Sequence, residues 1–133
     1  MQALALSPDF TEAAYNLGNA FAALQRPADA ARYYIQAIRL QPDRAKVHYN
    51  LANALVALDR LPEAIHEYLT VVRLTPDDAN AHYNLANALM QSDQAAAAIP
   101  HYETVLHLDP GDREAAQNLA EARRFATEQA KGR

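Results

Sequence analysis

Apolar residues recur along this chain at intervals of three and four, as in Leu17, Phe21 and Leu24, or Leu51, Leu55 and Leu58. That spacing places them on one side of an α-helix and predicts a stripe buried against a core. The pattern predicts six helices of two alternating kinds. One kind covers 11–24, 45–58 and 79–92; the other covers 28–41, 62–75 and 96–109. No segment shows the two-residue alternation of a half-buried strand, so the expected fold is all-α.

A longer period lies over this one. Pro8, Pro42, Pro76 and Pro110 recur at one constant interval, in the settings LSPD, LQPD, LTPD and LDPG. A repeat of about 34 residues is one supersecondary unit that buries its apolar face against its neighbours. Asp43, Asp78 and Asp112 stand where helix starts need acceptor side chains. Gly18, Ala52 and Ala86 on the first helices, and Ala30, Ala64 and Ala98 on the second, are small where two backbones must approach. Tyr34, Tyr68 and Tyr102 are the large fillers.

These small-residue, tyrosine and proline positions resemble the tetratricopeptide repeat (TPR) along Thr11 to Asp112. The resemblance implies a right-handed α-solenoid: 11–44, 45–78 and 79–112 as three repeats, 1–10 as the tail of an incomplete one, and 113–133 as a capping helix and tail. Glu114, Glu121, Arg123, Arg124 and Glu128 give that last helix a polar outer face. The chain departs from the family in two places. Ala14, His48 and His82 replace its usual tryptophan, which gives the histidines a packing role. Gln25, Asp59 and Asp93 replace its usual turn glycine. Aspartate tolerates the left-handed backbone such a turn requires and glutamine does so poorly, so the first turn is expected to be strained or differently shaped. In the third repeat, Pro100 is expected to delay or kink its helix.

Asparagine is a poor choice inside a helix, yet YNLGNA, YNLANA and YNLANA carry two per copy. At 100° per residue Tyr15, Asn16 and Asn19 share a stripe set apart from the packing stripe. The same holds for Lys46, Tyr49, Asn50 and Asn53, and for Asn80, Tyr83, Asn84 and Asn87. In the TPR family this stripe lines a concave peptide groove. The resemblance therefore implies two asparagine files along it, Asn16, Asn50, Asn84 and Asn118 beside Asn19, Asn53 and Asn87. Packed helices lie about 8–10 Å apart and an extended peptide advances about 3.3–3.6 Å per residue, so one rung meets every third peptide residue. A carboxamide donates from one atom and accepts on another, which suits it to reading backbone. The alternative is that Asn16, Asn50 and Asn84 bond between adjacent repeats and hold them in register.

Composition narrows the function. Twelve basic residues against sixteen acidic give a net charge of −4, the opposite of the basic surplus expected of a nucleic-acid binder. No apolar run reaches the roughly 18 residues of a membrane span, so no membrane insertion is expected, and a cytoplasmic location is. The absence of cysteine excludes disulfides and thiolate metal sites. The five histidines include no pair at helical metal spacing, Glu63 and His66 form half a di-iron pattern without its other half, and no glycine-rich phosphate loop occurs. No enzyme, no metal and no cofactor are therefore expected. Some TPR domains grip the carboxylates of heat-shock chaperone tails; Asn19 and Asn50 fit that clamp, but Tyr15, Asn80 and Asn84 stand where its cations belong. The NLGNA and NLANA elements are also similar to the TPR superhelix of O-linked N-acetylglucosamine transferase. The expected function is a protein-interaction scaffold for an extended peptide. The alternatives are a homo-oligomer formed through an open N-terminal end covered by Leu4 and Leu6, or a substrate-presenting segment of a larger enzyme.

Overall fold

The computed structural model describes residues 8–132, and every regular element among them is an α-helix. Helices α1 (Pro8–Ala23), α2 (Pro27–Leu40), α3 (Ala45–Ala57) and α4 (Leu61–Leu74) form one compact unit. Helices α5 (Ala79–Gln91), α6 (Ala95–Leu108) and α7 (Arg113–Lys131) form a second, the division falling between Leu74 and Thr75. In the first unit α1 packs on α2, α2 on α3 and α3 on α4; in the second α5 packs on α6 and α6 on α7.

Each hairpin closes where the sequence is small. Ala30, Ala52, Ala64, Ala86 and Ala98 are fully buried, and Tyr34, Tyr68 and Tyr102 fill the space beside them. At Gly18 an added Cβ would stand 2.5 Å from the Tyr34 ring, so the first copy needs glycine where the other two carry alanine. Leu51, Leu55, Val47 and Val71 complete the first core, and Leu85, Leu89, Val105 and Leu119 the second.

The turn between the two helices of each pair has one shape three times. Gln25, Asp59 and Asp93 all take left-handed backbone, with φ of 58°, 57° and 61°. The following N–H reaches back across the turn in each, from Arg26 to the Phe21 carbonyl, Arg60 to Leu55 and Gln94 to Leu89. This is the Schellman closure of a helix end. The expectation of a different first turn is therefore corrected: glutamine adopts the shared conformation, at the steric cost of an L-residue with positive φ.

Two further expectations are corrected, and the delayed start expected at Pro100 is a third. Leu17 and Leu24 are 46% and 67% exposed, because they lie on a side of α1 where no described helix packs. Asp78 and Asp112 cap α5 and α7 by accepting from the Ala81 and Ala115 N–H groups at 3.1 and 3.0 Å, but Arg44 occupies the corresponding place before α3. Asp43 stands one position too early in the repeat register to match Asp78. Pro100 does not delay α6, which starts at Ala95, the position in its repeat that Leu61 holds at the start of α4, and runs through the proline to Leu108. Leu4 and Leu6 lie outside the described residues.

His48 and His82 are buried, and each lies against the carbonyl of a repeated proline. His48 Nε2 is 2.7 Å from the Pro42 oxygen and its Nδ1 is 2.6 Å from Glu67 Oε1. His82 Nε2 is 2.8 Å from the Pro76 oxygen, but its Nδ1 meets His101 Nδ1 at 3.0 Å. The Pro76 oxygen can only accept, so neutral His82 donates from Nε2 and accepts on Nδ1 from His101. Burial pushes the His101 pKa down, and the neighbouring His82 pushes it further.

Candidate functional site: an asparagine-tyrosine groove in each unit

The polar stripe of the first helices makes a connected network rather than a row of independent side chains. In the first unit the Tyr34 hydroxyl donates to Asn19 Oδ1 at 2.7 Å. Asn50, on the next first helix, spends both N–H groups: Nδ2 donates to Asn19 Oδ1 at 3.0 Å and to the Tyr15 hydroxyl at 3.1 Å. The Tyr68 hydroxyl donates to Asn53 Oδ1. In the second unit Tyr102 donates to Asn87 Oδ1 at 2.5 Å, and Asn118 Nδ2 donates to the Tyr83 hydroxyl at 3.1 Å and to Asn87 Oδ1 at 3.4 Å. Tyr83 in turn donates to Glu114 Oε2 at 3.1 Å.

The network is asymmetric in what it consumes. Asn50 and Asn118 give up their amino groups, and their Oδ1 atoms have no partner among the described residues. Asn19, Asn53 and Asn87 give up their carbonyl oxygens, and their Nδ2 groups have no partner among the described residues. Asn50 and Asn118 thus present an acceptor, and Asn19, Asn53 and Asn87 a donor. These asparagines line two cavities. The first, about 530 Å³, is bounded by Asn19, Asn50, Asn53 and Tyr34 together with Ala22, Ala54, Ala57, Gln25 and Pro27. The second, about 320 Å³, is bounded by Asn87, Asn118, Tyr102, Met90, Gln91 and Glu121.

The buried tyrosines hold the arrangement in its protonated form. Burial, then the adjacent Tyr49, raises the Tyr68 pKa far above its usual range. Burial and Tyr15 raise Tyr34. Tyr102 is pushed up to about 12 by burial, Tyr83 and Glu121. A phenol that stays protonated keeps donating to its asparagine.

The remaining stripe residues sit elsewhere. Tyr15 and Tyr49 are half-buried and lean on Tyr34 and Tyr68, with ring centroids 6.1 and 6.0 Å apart; Tyr83 leans on Tyr102 at 6.1 Å. Lys46 is exposed, its Nζ 5.4 Å from the Tyr15 ring centre, while Arg44 bridges to Glu12. Asn16 and Asn80 are exposed, Asn84 is half-buried, and none of the three borders either cavity. Sequence reasoning missed Glu121 as a cavity residue, although the repeat interval from Asn19 through Asn53 and Asn87 leads to it. Among the described residues no cluster of three metal-ligating side chains occurs, and no helix is long and apolar enough to cross a membrane.

Solved structures with similar architecture include TPR domains. The first TPR of Spaghetti (RPAP3), bound to an HSP90 peptide, superposes with a TM-score of 0.81 at 21% identity, over 93% of this chain and 96% of that one. The MamA protein gives 0.84 at 23% identity, over 91% of this chain and 66% of that one. The TPR2B domain of yeast Sti1, in complex with an Hsp70 peptide, gives 0.77 at 23%, over 86% and 97%. No curated protein matches the sequence. The tetratricopeptide repeat model matches residues 2–45, 15–79, 49–113 and 83–124 in overlapping succession. The chain belongs to the tetratricopeptide repeat family.

Proposed function

We propose that this chain is a non-catalytic interaction scaffold, with 11–44, 45–78 and 79–112 as its repeats and 113–133 as its cap, that holds an extended peptide by its backbone. The observation that carries this is the half-consumed carboxamide. Asn50 uses only its donors and Asn19 only its acceptor to tie neighbouring helices. Both border the same cavity, where the unused halves are available to a ligand. A peptide unit offers one N–H and one C=O, the complement of the Asn50 oxygen and the Asn19 amino group. The same asparagines thereby serve register and recognition, and both uses explain why two are kept in every copy. That peptide-bound TPR domains share the fold is consistent with this use of the groove.

The interaction is weak by construction. Three open carboxamide ends in the first unit contribute about 1.5–4.5 kcal/mol at about 0.5–1.5 each, against ordering costs of several kcal/mol. Apolar contact with Ala22, Ala54 and Ala57 adds about 1–2 kcal/mol to this, which points to dissociation constants no tighter than millimolar. Peptides selected from a random library and measured by fluorescence anisotropy should lose about two- to twelvefold in affinity with Asn19→Ala, the value of one neutral hydrogen bond. Unchanged affinity would remove the groove from the interaction.

A second reading is favoured by one observation. Phe10, Leu17 and Leu24 are exposed at heptad spacing on and just after α1, an apolar seam of the kind that pairs helices. Association of copies through this seam would appear in light scattering across a concentration series and weaken with Leu24→Glu. A monomer at millimolar concentration would contradict it.

A further inference from the structure

The two cavities are built on the same plan and differ at one rung. The first is framed by Asn19, Asn50 and Asn53; two repeats further along, the same places hold Asn87, Asn118 and Glu121, which frame the second. The repeat position that holds Asn19, Asn53 and Asn87 in turn therefore holds a carboxylate at Glu121. Where each earlier rung offers an N–H, Glu121 offers only oxygens and a negative charge.

We infer that the groove of the second unit takes a basic side chain, lysine or arginine, of the bound peptide, while that of the first unit takes a neutral one. This rests on the peptide-groove reading above. Glu121 lines the cavity with Tyr102, whose hydroxyl it helps to keep protonated. Its ion pair is loose, 3.8 Å to Arg124 on the next turn with both side chains more than half exposed, and the Arg124 guanidinium also lies over the Phe125 ring, 5.2 Å from its centre. Arg123 is drawn away to Glu103 at 3.2 Å. Met90, which lines the same cavity where the first has Ala22, brings a flexible thioether surface against which the methylene stem of a lysine or arginine can lie, its head group reaching Glu121. In the first cavity the corresponding surroundings are alanines and proline, and no acidic or basic side chain lines it among the described residues.

The test uses the full chain and random octapeptides displayed on phage, selected in parallel against the wild type and Glu121→Gln. The wild type should enrich lysine and arginine at one peptide position, and Glu121→Gln should still enrich peptides without that preference. A selected peptide is then made N-acetylated and C-amidated, with lysine or norleucine at that position. The lysine form should bind the wild type about three- to fivefold tighter, the scale of a half-exposed ion pair. The ratio should fall to one in Glu121→Gln and rise in Arg124→Ala, which removes the competing cation. Basic enrichment that is absent, or that persists in Glu121→Gln, overturns the inference while leaving the groove intact. Binding that requires a free peptide N-terminus overturns the side-chain assignment. Failure of either protein to enrich any peptide refutes the underlying groove reading instead.

Discussion

Replacing Asn50 with alanine removes two hydrogen bonds at once, to Tyr15 at 3.1 Å and to Asn19 at 3.0 Å, and both cross between helix pairs. Asn19 Oδ1 keeps the hydroxyl of Tyr34 as a partner, so no buried acceptor is stranded. The expected loss is the net value of two neutral bonds, about 1–3 kcal/mol. For a chain of this size that lowers Tm by roughly 3–12 °C, taking about 3–4 °C per kcal/mol. Urea unfolding followed by far-ultraviolet circular dichroism, with Asn16→Ala as the control, measures it. The control, exposed and outside the cavity, should stay within about 0.5 kcal/mol of wild type. A loss for Asn50→Ala no larger than that of the control would show that these bonds do not hold the repeats together.

Other outcomes follow from the same geometry. Gln25→Gly relieves an L-residue at φ 58° and should raise stability by about 1 kcal/mol, read as an increase in urea midpoint. His101 binds its proton less readily folded than unfolded, so below about pH 6.5, the ordinary value for histidine, the unfolded state gains more protons and stability falls as pH drops. His101→Gln should flatten that part of a stability profile taken between pH 7.5 and 5.5. At the alkaline end the sign reverses: Tyr102, with its pKa near 12, stays protonated when unfolded tyrosines ionise, so stability should fall as pH rises above about 10. Ultraviolet titration of Tyr102→Phe against wild type isolates this residue.

The helices and their pairing were legible because one interval repeats small residues, tyrosines and turns together, and each copy supports the others. Single-copy details were not. Asp43 looked like a cap because aspartate is a good one, but the repeat register assigns that place to Arg44. Leu17 and Leu24 fall in register with Leu51 and Leu58, which are buried and half-buried, and periodicity carries no information on whether a neighbour covers that stripe. The asparagine files were visible as a pattern, but sequence could not apportion each carboxamide between register and ligand, since that depends on which atom faces Tyr34, Tyr15 or the cavity. Glu121 was not legible because its residue type breaks the asparagine pattern, whereas the rung is defined by position.

The central claim is that the unused halves of the asparagines contact the ligand. Side-chain carboxamide resonances of uniformly ¹⁵N-labelled protein, assigned through single Asn→Asp variants and titrated with a selected octapeptide, test it most directly. The account predicts that the Nδ2 signals of Asn19 and Asn53 shift and saturate with the peptide, while that of exposed Asn16 stays in place. Saturable peptide binding that leaves the Asn19 and Asn53 signals unmoved would contradict it.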